Sequence, residues 1–375
     1  MSINIFLPSL PGMAAYFDAD YRLIQLSIAV YLGMNAALQI LVGPLSDRYG
    51  RRPVILTGLA LFLVATLGCI MAPNVTVFLF FRMMQACVAV AMVLSRAVVR
   101  DLYDQDRAAS MLGYVTMGMA LVPMISPAIG GVLEDSFDWR ANFWALFVAG
   151  LVVFILTWRD LGETARPSNN TLWGQFREYP ELLTSPRFWG YCLASALGSG
   201  AFFAYLGGAP FIASEVYAMP PTETGLYLAA PAIGYFLGNW LSGIFATRVG
   251  VNRMVLAGGG LSTIGLALSL FLALTGLSGP LVFFGLMTIL GVGNGMLLPS
   301  ATAGMLSVRP HLAGTASGLG GAIMLGGGAL LSAFSGAMLV PDSAEVVLLV
   351  IMVATSALSV AAILTVMRRE RRLGL

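Results

Sequence analysis

Gly43-Pro44-Leu45-Ser46-Asp47-Arg48-Tyr49-Gly50-Arg51-Arg52-Pro53 is a compact charged stretch between two long apolar runs. One proline and two glycines punctuate it before Pro53, which predicts a tight helix-to-helix connection. Two hundred positions later the chain reads Gly243-Ile244-Phe245-Ala246-Thr247-Arg248-Val249-Gly250-Val251-Asn252-Arg253-Met254. Gly43, Arg48 and Gly50 recur as Gly243, Arg248 and Gly250, and Leu56, Gly58 and Leu61 recur as Leu256, Gly258 and Leu261. The chain therefore consists of two related halves, each with the same hairpin at the same place.

Composition states the solvent. Of 375 residues, 58% are hydrophobic and 10% charged, and the mean hydropathy is +0.86. A soluble chain carries roughly 25% charged residues, so this one cannot cover a water-facing surface and is an integral membrane protein. Internal duplication is common among membrane transporters. Net charge is only +2, with the cations spread over short loops, and nucleic acid is not expected as a partner. Every basic residue is arginine, which we read as compositional bias. Cys69, Cys87 and Cys192 lie far apart inside apolar runs and read as small packing residues. A single histidine, His311, leaves no histidine-based metal site, and neither a metal nor a cofactor is expected. The first residues lack a basic region and a small-residue cleavage site, so a signal peptide is not expected.

A membrane span needs about 20 mainly apolar residues. Spans are predicted at roughly 3–17, 22–42, 53–72, 77–98, 108–133, 140–158, 187–213, 223–246, 253–275, 280–305, 313–338 and 345–367. The fold expected is all-α, with a six-helix bundle over 1–158, a linker over 159–186, a second bundle over 187–367 and a tail over 368–375. The first span reaches only about 25 Å of a core of about 30 Å, so either the chain begins late or its first helix is incomplete. Pro8 and Pro11 predict a kink in it. Loops near 43, 99, 159, 247 and 306 and the tail hold most arginines, while Asp18, Asp20, Glu134, Asp135, Asp138, Glu215, Glu223, Asp342 and Glu345 fall in the alternate loops. Both termini are thus expected in the cytoplasm. Within the linker, Trp173 and Phe176 are spaced for an interfacial helix. Glycines cluster in the late spans, at Gly258–Gly260, Gly291–Gly295, Gly318–Gly321 and Gly326–Gly328; they serve close helix packing or act as hinges.

Arg82 is the strongest single candidate. A charge in hydrocarbon costs at least about 2.5–3.5 kcal/mol on insertion scales, which makes it a functional suspect; the alternative is snorkelling to the interface. Gln85 shares its face. Tyr31, Asn35 and Gln39 form a polar stripe that lines a wet cavity or bonds to another helix. Tyr205, Tyr227, Tyr235 and Asn239 are the counterparts in the second half. Met117, Met119 and Met124 are soft side chains that suit varied apolar ligands or fill space. Pro123, Pro127, Gly130 and Gly131 are expected to bend the fifth helix and to admit a close neighbour.

These pieces together resemble the major facilitator superfamily, and within it the bicyclomycin-resistance (Bcr/CflA) branch of drug:proton antiporters. The stretch Gly43 to Arg52 is similar to the superfamily's loop 2–3 signature, Phe81-Arg82-Met83-Met84-Gln85 to its helix 4 motif, and Pro123 to Gly131 to its helix 5 antiporter motif, with Ser126 where many members have Gly or Ala. Arg96 to Asp101 and His311 to Gly318 are similar to pieces of the branch. Where the branch usually has an acid in Ile-Asp-Met-Tyr-Leu-Pro, this chain has Ile3-Asn4-Ile5-Phe6-Leu7-Pro8, and Asn4 cannot take up a proton. The resemblance implies two pseudo-symmetric six-helix bundles around a central cavity that includes Asn4. It also implies a conformational latch of Gly43, Asp47, Arg48, Gly50, Arg51, Arg52, Arg100 and Asp101, with Asp47 facing the start of helix 11; the plainer reading is a loop salt bridge.

The function expected is export of drug-like or small amphipathic compounds across the bacterial inner membrane by alternating access, with the proton as coupling ion and the chain a monomer in the lipid bilayer. A facilitative or uptake carrier and a non-transporting remnant are the alternatives, and no enzyme site is found. For the latch, Asp47→Asn is expected to lower efflux at normal expression; unchanged transport would remove it.

Overall fold

The computed structural model describes residues 1–102, 111, 122–123, 125–164, 179–309 and 312–373. Among them there is no strand, and a helix stands at each of the twelve predicted positions. They are α1 (Leu10–Tyr16), α2 (Tyr21–Tyr49), α3 (Arg51–Ile70), α4 (Val75–Gln85 and Ala89–Leu102), α5 (125–136), α6 (Trp139–Asp160), α7 (Pro186–Phe211), α8 (Pro221–Leu228 and Ala230–Val249), α9 (Val251–Leu274), α10 (Pro280–Ser307), α11 (Ala313–Met338) and α12 (Ala344–Leu373). Among the described residues, ten of them, all but α1 and α5, are long and apolar enough to cross a bilayer. The protein is an all-α, multi-pass membrane protein. The surface helix expected around Trp173 and Phe176 lies outside the described residues.

Local chemistry starts and stops these helices. Asp20, Asn74 and Asp138 accept hydrogen bonds from the backbone N–H groups of Arg22 (2.8 Å), Val77 (2.9 Å) and Arg140 (2.8 Å), capping α2, α4 and α6. The two repeated glycines end the second helix of each half. Gly50 has φ 94° and Gly250 φ 89°, a left-handed backbone that a side chain would strain.

Two sequence expectations need correction. The stretch from Gly43 is not a loop: α2 runs through Gly43 and Pro44 to Tyr49, and the connection to α3 is Gly50 alone. A proline inside a helix removes one hydrogen bond; here the left-handed glycine, not the proline, ends the helix. Nor is the first span one kinked helix. Residues 2–6 are turns, Leu7–Ser9 is a 3-10 turn, and α1 has only seven residues. Pro8 and Pro11 each fall in the first turn of a short helical piece, where a missing N–H is harmless.

The glycine clusters bring backbones together. A Cβ on Gly291 would lie 1.9 Å from the Pro231 carbonyl oxygen, one on Gly295 2.5 Å from that of Tyr235, and one on Gly238 2.1 Å from that of Val292, so α8 and α10 touch through their main chains. Gly258 of α9 meets the Gly293 carbonyl of α10 in the same way. This is close packing by small residues, which gives van der Waals contact where lipid supplies no hydrophobic drive between helices.

The halves meet at the end away from Gly50 and Gly250. There Gly131 of α5 lies against the Pro221 carbonyl of α8, and Gly225 of α8 against the Pro127 carbonyl of α5. Asp135 accepts from the Thr222 N–H at 2.9 Å. Pro220 and Pro221 leave α8 without a side-chain cap of its own, so the other half supplies one. Arg22 donates to the Leu339 carbonyl (3.3 Å), Gln25 to the Ser332 carbonyl (3.2 Å), and the Tyr21 and Phe211 rings are 5.0 Å apart. The α2–α11 seam continues past Ala36 and Gly326 to Gln39, whose carboxamide lies against Gly321.

Gly291→Val is expected to cost about 1–3 kcal/mol of stability, read as an earlier thermal melt of the detergent-solubilised protein. Gly260→Val, with open space around it, is expected to leave the melt unchanged.

Candidate functional site

The face of α4 formed by Phe78, Arg82 and Gln85 is buried, and Arg82 is 0% exposed. Its guanidinium carbon sits 4.3 Å from the Phe6 ring centroid and 4.4 Å from that of Tyr31. One Nη donates to the Ser2 carbonyl at 2.8 Å; the other donates to the Ser2 hydroxyl at 3.2 Å and to Gln85 Oε1. Gln85 in turn donates to Thr66 Oγ1 at 2.8 Å, and Thr66 to the Phe62 carbonyl at 2.6 Å. The turn before α1 is thus tied to α2, α3 and α4 around one cation. Among the described residues no carboxylate pairs with Arg82. Two ring faces and three neutral oxygens take that place, and desolvated cation–π contacts are worth about 2 kcal/mol or more. Nε is left without a partner.

Asn4, 4% exposed, donates to the Pro123 carbonyl at 3.4 Å, and its own oxygen is unpartnered. Asn35 is buried with its oxygen unpartnered, one turn beyond Tyr31. Asn4, Tyr31, Arg82 and Gln85 are therefore gathered around the first turn and α4, while Gln39 lies against α11. The other predicted residues lie elsewhere. Tyr205 is 0% exposed and packs on Phe202, Phe283 and Phe284, with its hydroxyl unpartnered. Tyr227 packs on Phe284. Tyr235 is half-buried, and Asn239 donates to its carbonyl at 2.8 Å. Met117 and Met119 lie outside the described residues, as does Met124.

At the Gly50 end, Arg51 Nε is 3.3 Å from Asp101 Oδ2, and its guanidinium also donates to the Ser46 hydroxyl. Arg48 lies over the Tyr49 ring, and Arg52 donates to the Trp158 carbonyl at 2.9 Å. The side chains of Asp47 and Arg100 lie outside the described residues. Sequence reading missed Glu163, just past α6, whose carboxylate accepts from the N–H groups of Arg51 (2.8 Å) and Arg52 (3.3 Å) and so caps α3. Its counterpart in the second half is Glu370, at the end of α12. That carboxylate accepts from Arg187 Nη2 at 2.6 Å and from Asn252 Nδ2, while the Tyr191 hydroxyl donates to Asn252 Oδ1 at 2.6 Å. In each half an acid at or just past the end of the sixth helix holds the start of the third. The signal was present as an isolated acid at each helix end, but only tertiary contact shows what it meets.

Arg82→Lys is expected to lower the melting temperature more than Tyr31→Leu does, because an ammonium cannot fork to Ser2 and Gln85 while stacking on two rings. Thermal melts of the purified variants give the comparison.

Comparisons with known proteins place this geometry in a family. A family model described as Major Facilitator Superfamily matches residues 1–333. The chain is 30% identical over 331 residues to a chloramphenicol resistance protein of Pseudomonas aeruginosa, covering 86% of this chain and 78% of that one. To multidrug resistance protein D of Escherichia coli (strain K12) it is 30% identical over 341 residues, covering 88% and 84%. To a bicyclomycin resistance protein homolog of Haemophilus influenzae it is 26% identical over 352 residues, covering 90% and 85%. In fold it is similar to a bacterial homolog of the human lysosomal transporter Spinster (TM-score 0.73, 18% identity, 98% and 94% of the chains). It is also similar to the xylose transporter XylE from E. coli (TM-score 0.70, 14% identity, 95% and 92%).

Proposed function

The chain belongs to the Major Facilitator Superfamily and is a membrane transporter, and from that premise we propose that it exports drug-like or small amphipathic compounds across a bacterial inner membrane. The observation that carries the choice of cargo is kinship across both halves with proteins named for chloramphenicol, multidrug and bicyclomycin resistance. The arginine-rich Gly50 and Gly250 ends face the cytoplasm, as do both termini, because cations resist translocation. The two bundles, joined through 159–186, rock about a site near the Arg82 cluster and expose it to each side in turn. The contacts of α5 with α8 and of α2 with α11 are then the outer closure, and the Arg51–Asp101 pair belongs to the inner latch. The protein works as a monomer on a small-molecule cargo, without nucleic acid.

Proton entry drives export in this reading. One observation favours a second reading, uncoupled facilitated diffusion: position 4 holds an amide, and among the described residues the Arg82 guanidinium has no carboxylate partner.

Expression in an efflux-deficient bacterium is expected to raise the inhibitory concentration of at least one amphipathic drug several-fold, and Arg82→Ala to abolish the gain. Flux into proteoliposomes with and without a pH gradient separates the two readings. Dependence on the gradient supports antiport, and indifference to it, restored to dependence by Asn4→Asp, supports facilitated diffusion. A panel in which neither the parent nor the variants change any susceptibility would overturn the export reading.

A further inference from the structure

With Asn4 unable to carry a proton, another titratable group near the moving contacts becomes of interest. Glu134 stands on α5 just beyond the apolar span that ends at 133, three residues after Gly131. It is half-buried, and one carboxyl oxygen presses on Gly12 of α1, where even a methyl group would approach to 2.5 Å. The carboxyl lies near the hydroxyl of Ser9, which is 0% exposed and favours the ionised form. The Ser9 oxygen also accepts from Asn142 Nδ2 of α6 at 2.8 Å, and that amide reaches the Gly130 carbonyl at 3.2 Å. Two buried acceptors of this cluster, Glu134 Oε2 and Asn142 Oδ1, have no donor. An unmet buried acceptor is costly.

The missing element is a donor, and among the described residues no side-chain cation supplies it. Arg140 of α6 is turned to Asp138 (3.5 Å), the Tyr16 hydroxyl and the Ile70 carbonyl. The other charges bearing on Glu134 are Asp138 at the start of α6 and Asp135 on its own helix, both negative. Apart from Tyr16, α1 brings no titratable side chain, and Glu223 lies in the first turn of α8. We propose that Glu134 is a proton-binding site that braces the outer closure: a proton taken from the outer aqueous phase onto Oε2 turns the carboxylate into a neutral donor within the Ser9–Asn142 cluster. The Leu7–Ser9 turn packs on the first piece of α8, which also lies against Gly131 and is capped by Asp135. With Glu134 protonated, α1, α5 and α6 lock into the surface on which α8 docks. Ionised, the carboxylate is repelled by both neighbouring acids and is better hydrated with the outer end parted. Burial, Asp138 and Asp135 push the Glu134 carboxyl above the usual carboxylate range, and the nearby Ser9 hydroxyl pulls the other way. This inference rests on the alternating-access reading but not on any choice of cargo.

The test needs no substrate. In a variant with Cys69, Cys87 and Cys192 changed to Ala, cysteines replace Leu23 and Val340. Both are exposed and lie next to the Arg22–Leu339 contact of the outer end. The protein is reconstituted in liposomes, and cross-linking by a short bis-methanethiosulfonate is followed from about pH 8 to about pH 5, normalised to the rate at a control pair within one half. The cross-linking ratio is expected to rise by about fivefold or more as the pH falls. Glu134→Gln is expected to hold it at the acid level throughout. Ser9→Ala, which removes the hydroxyl that favours the ionised form, is expected to move the transition to higher pH. A flat profile in the parent, a parent-like profile in Glu134→Gln, or an unshifted one in Ser9→Ala would overturn the proposal. Loss of drug export with these profiles intact would count against the cargo reading alone.

Discussion

Hydrocarbon offers a guanidinium nothing, and the way Arg82 is satisfied ties together the first half of the molecule. Its planar fork draws in the backbone of Ser2, its two faces take Phe6 and Tyr31, and its hydrogen bond to Gln85 passes on to Thr66. Four segments converge on one charge, and each contributes something that the others cannot. Ring faces answer the charge without adding a carboxylate. The cation can therefore remain charged although position 4 carries an amide.

Around that centre, packing depends on how closely backbones approach. In the second half, glycines on α8, α9 and α10 let main-chain carbonyls replace side chains at the contact. Between the halves, Gly131 and Gly225 do the same for α5 and α8. An interface made of backbone has little side-chain entropy to lose when it forms. In the proposed cycle it would separate and re-form with few rotamers to reset. The charged contacts are arranged differently: Glu163 and Glu370 fasten helix ends within a half, while Asp135 caps a helix across the gap.

This division bears on transport. In the proposed alternating-access cycle, contacts inside a half would keep each bundle together and motion would fall on the seams α2–α11 and α5–α8. The fifth helix carries both the glycine that α8 rests on and, at its end, the carboxyls of Glu134 and Asp135. In the proposal for Glu134, a small change of charge there would act on the seam itself. The proline and glycine pattern of Pro123 to Gly131 thus acquires a physical role: Pro127 and Gly131 shape the face against α8, and Gly130 that against Ile5.

Much of this was legible in the residues. Hydropathy fixed the membrane environment and the helix positions, because an apolar run of bilayer length has few other uses. The 200-residue repeat located two glycines that adopt the same left-handed turn, since only that backbone reverses the chain in one residue. The cost of a lone intramembrane arginine singled out Arg82. Local sequence misjudged Gly43 to Tyr49, reading proline and charge as a loop where the helix persists. It could not say that Ser2, Phe6 and Tyr31 would surround Arg82, that Gln39 would turn to α11, or that Tyr205 would sit in an aromatic core. Nor could it give Glu134 its neighbours. Helix existence follows from one segment's composition, whereas the partner of a buried polar group depends on which helices are adjacent and at what rotation, and that is decided when the bundle packs.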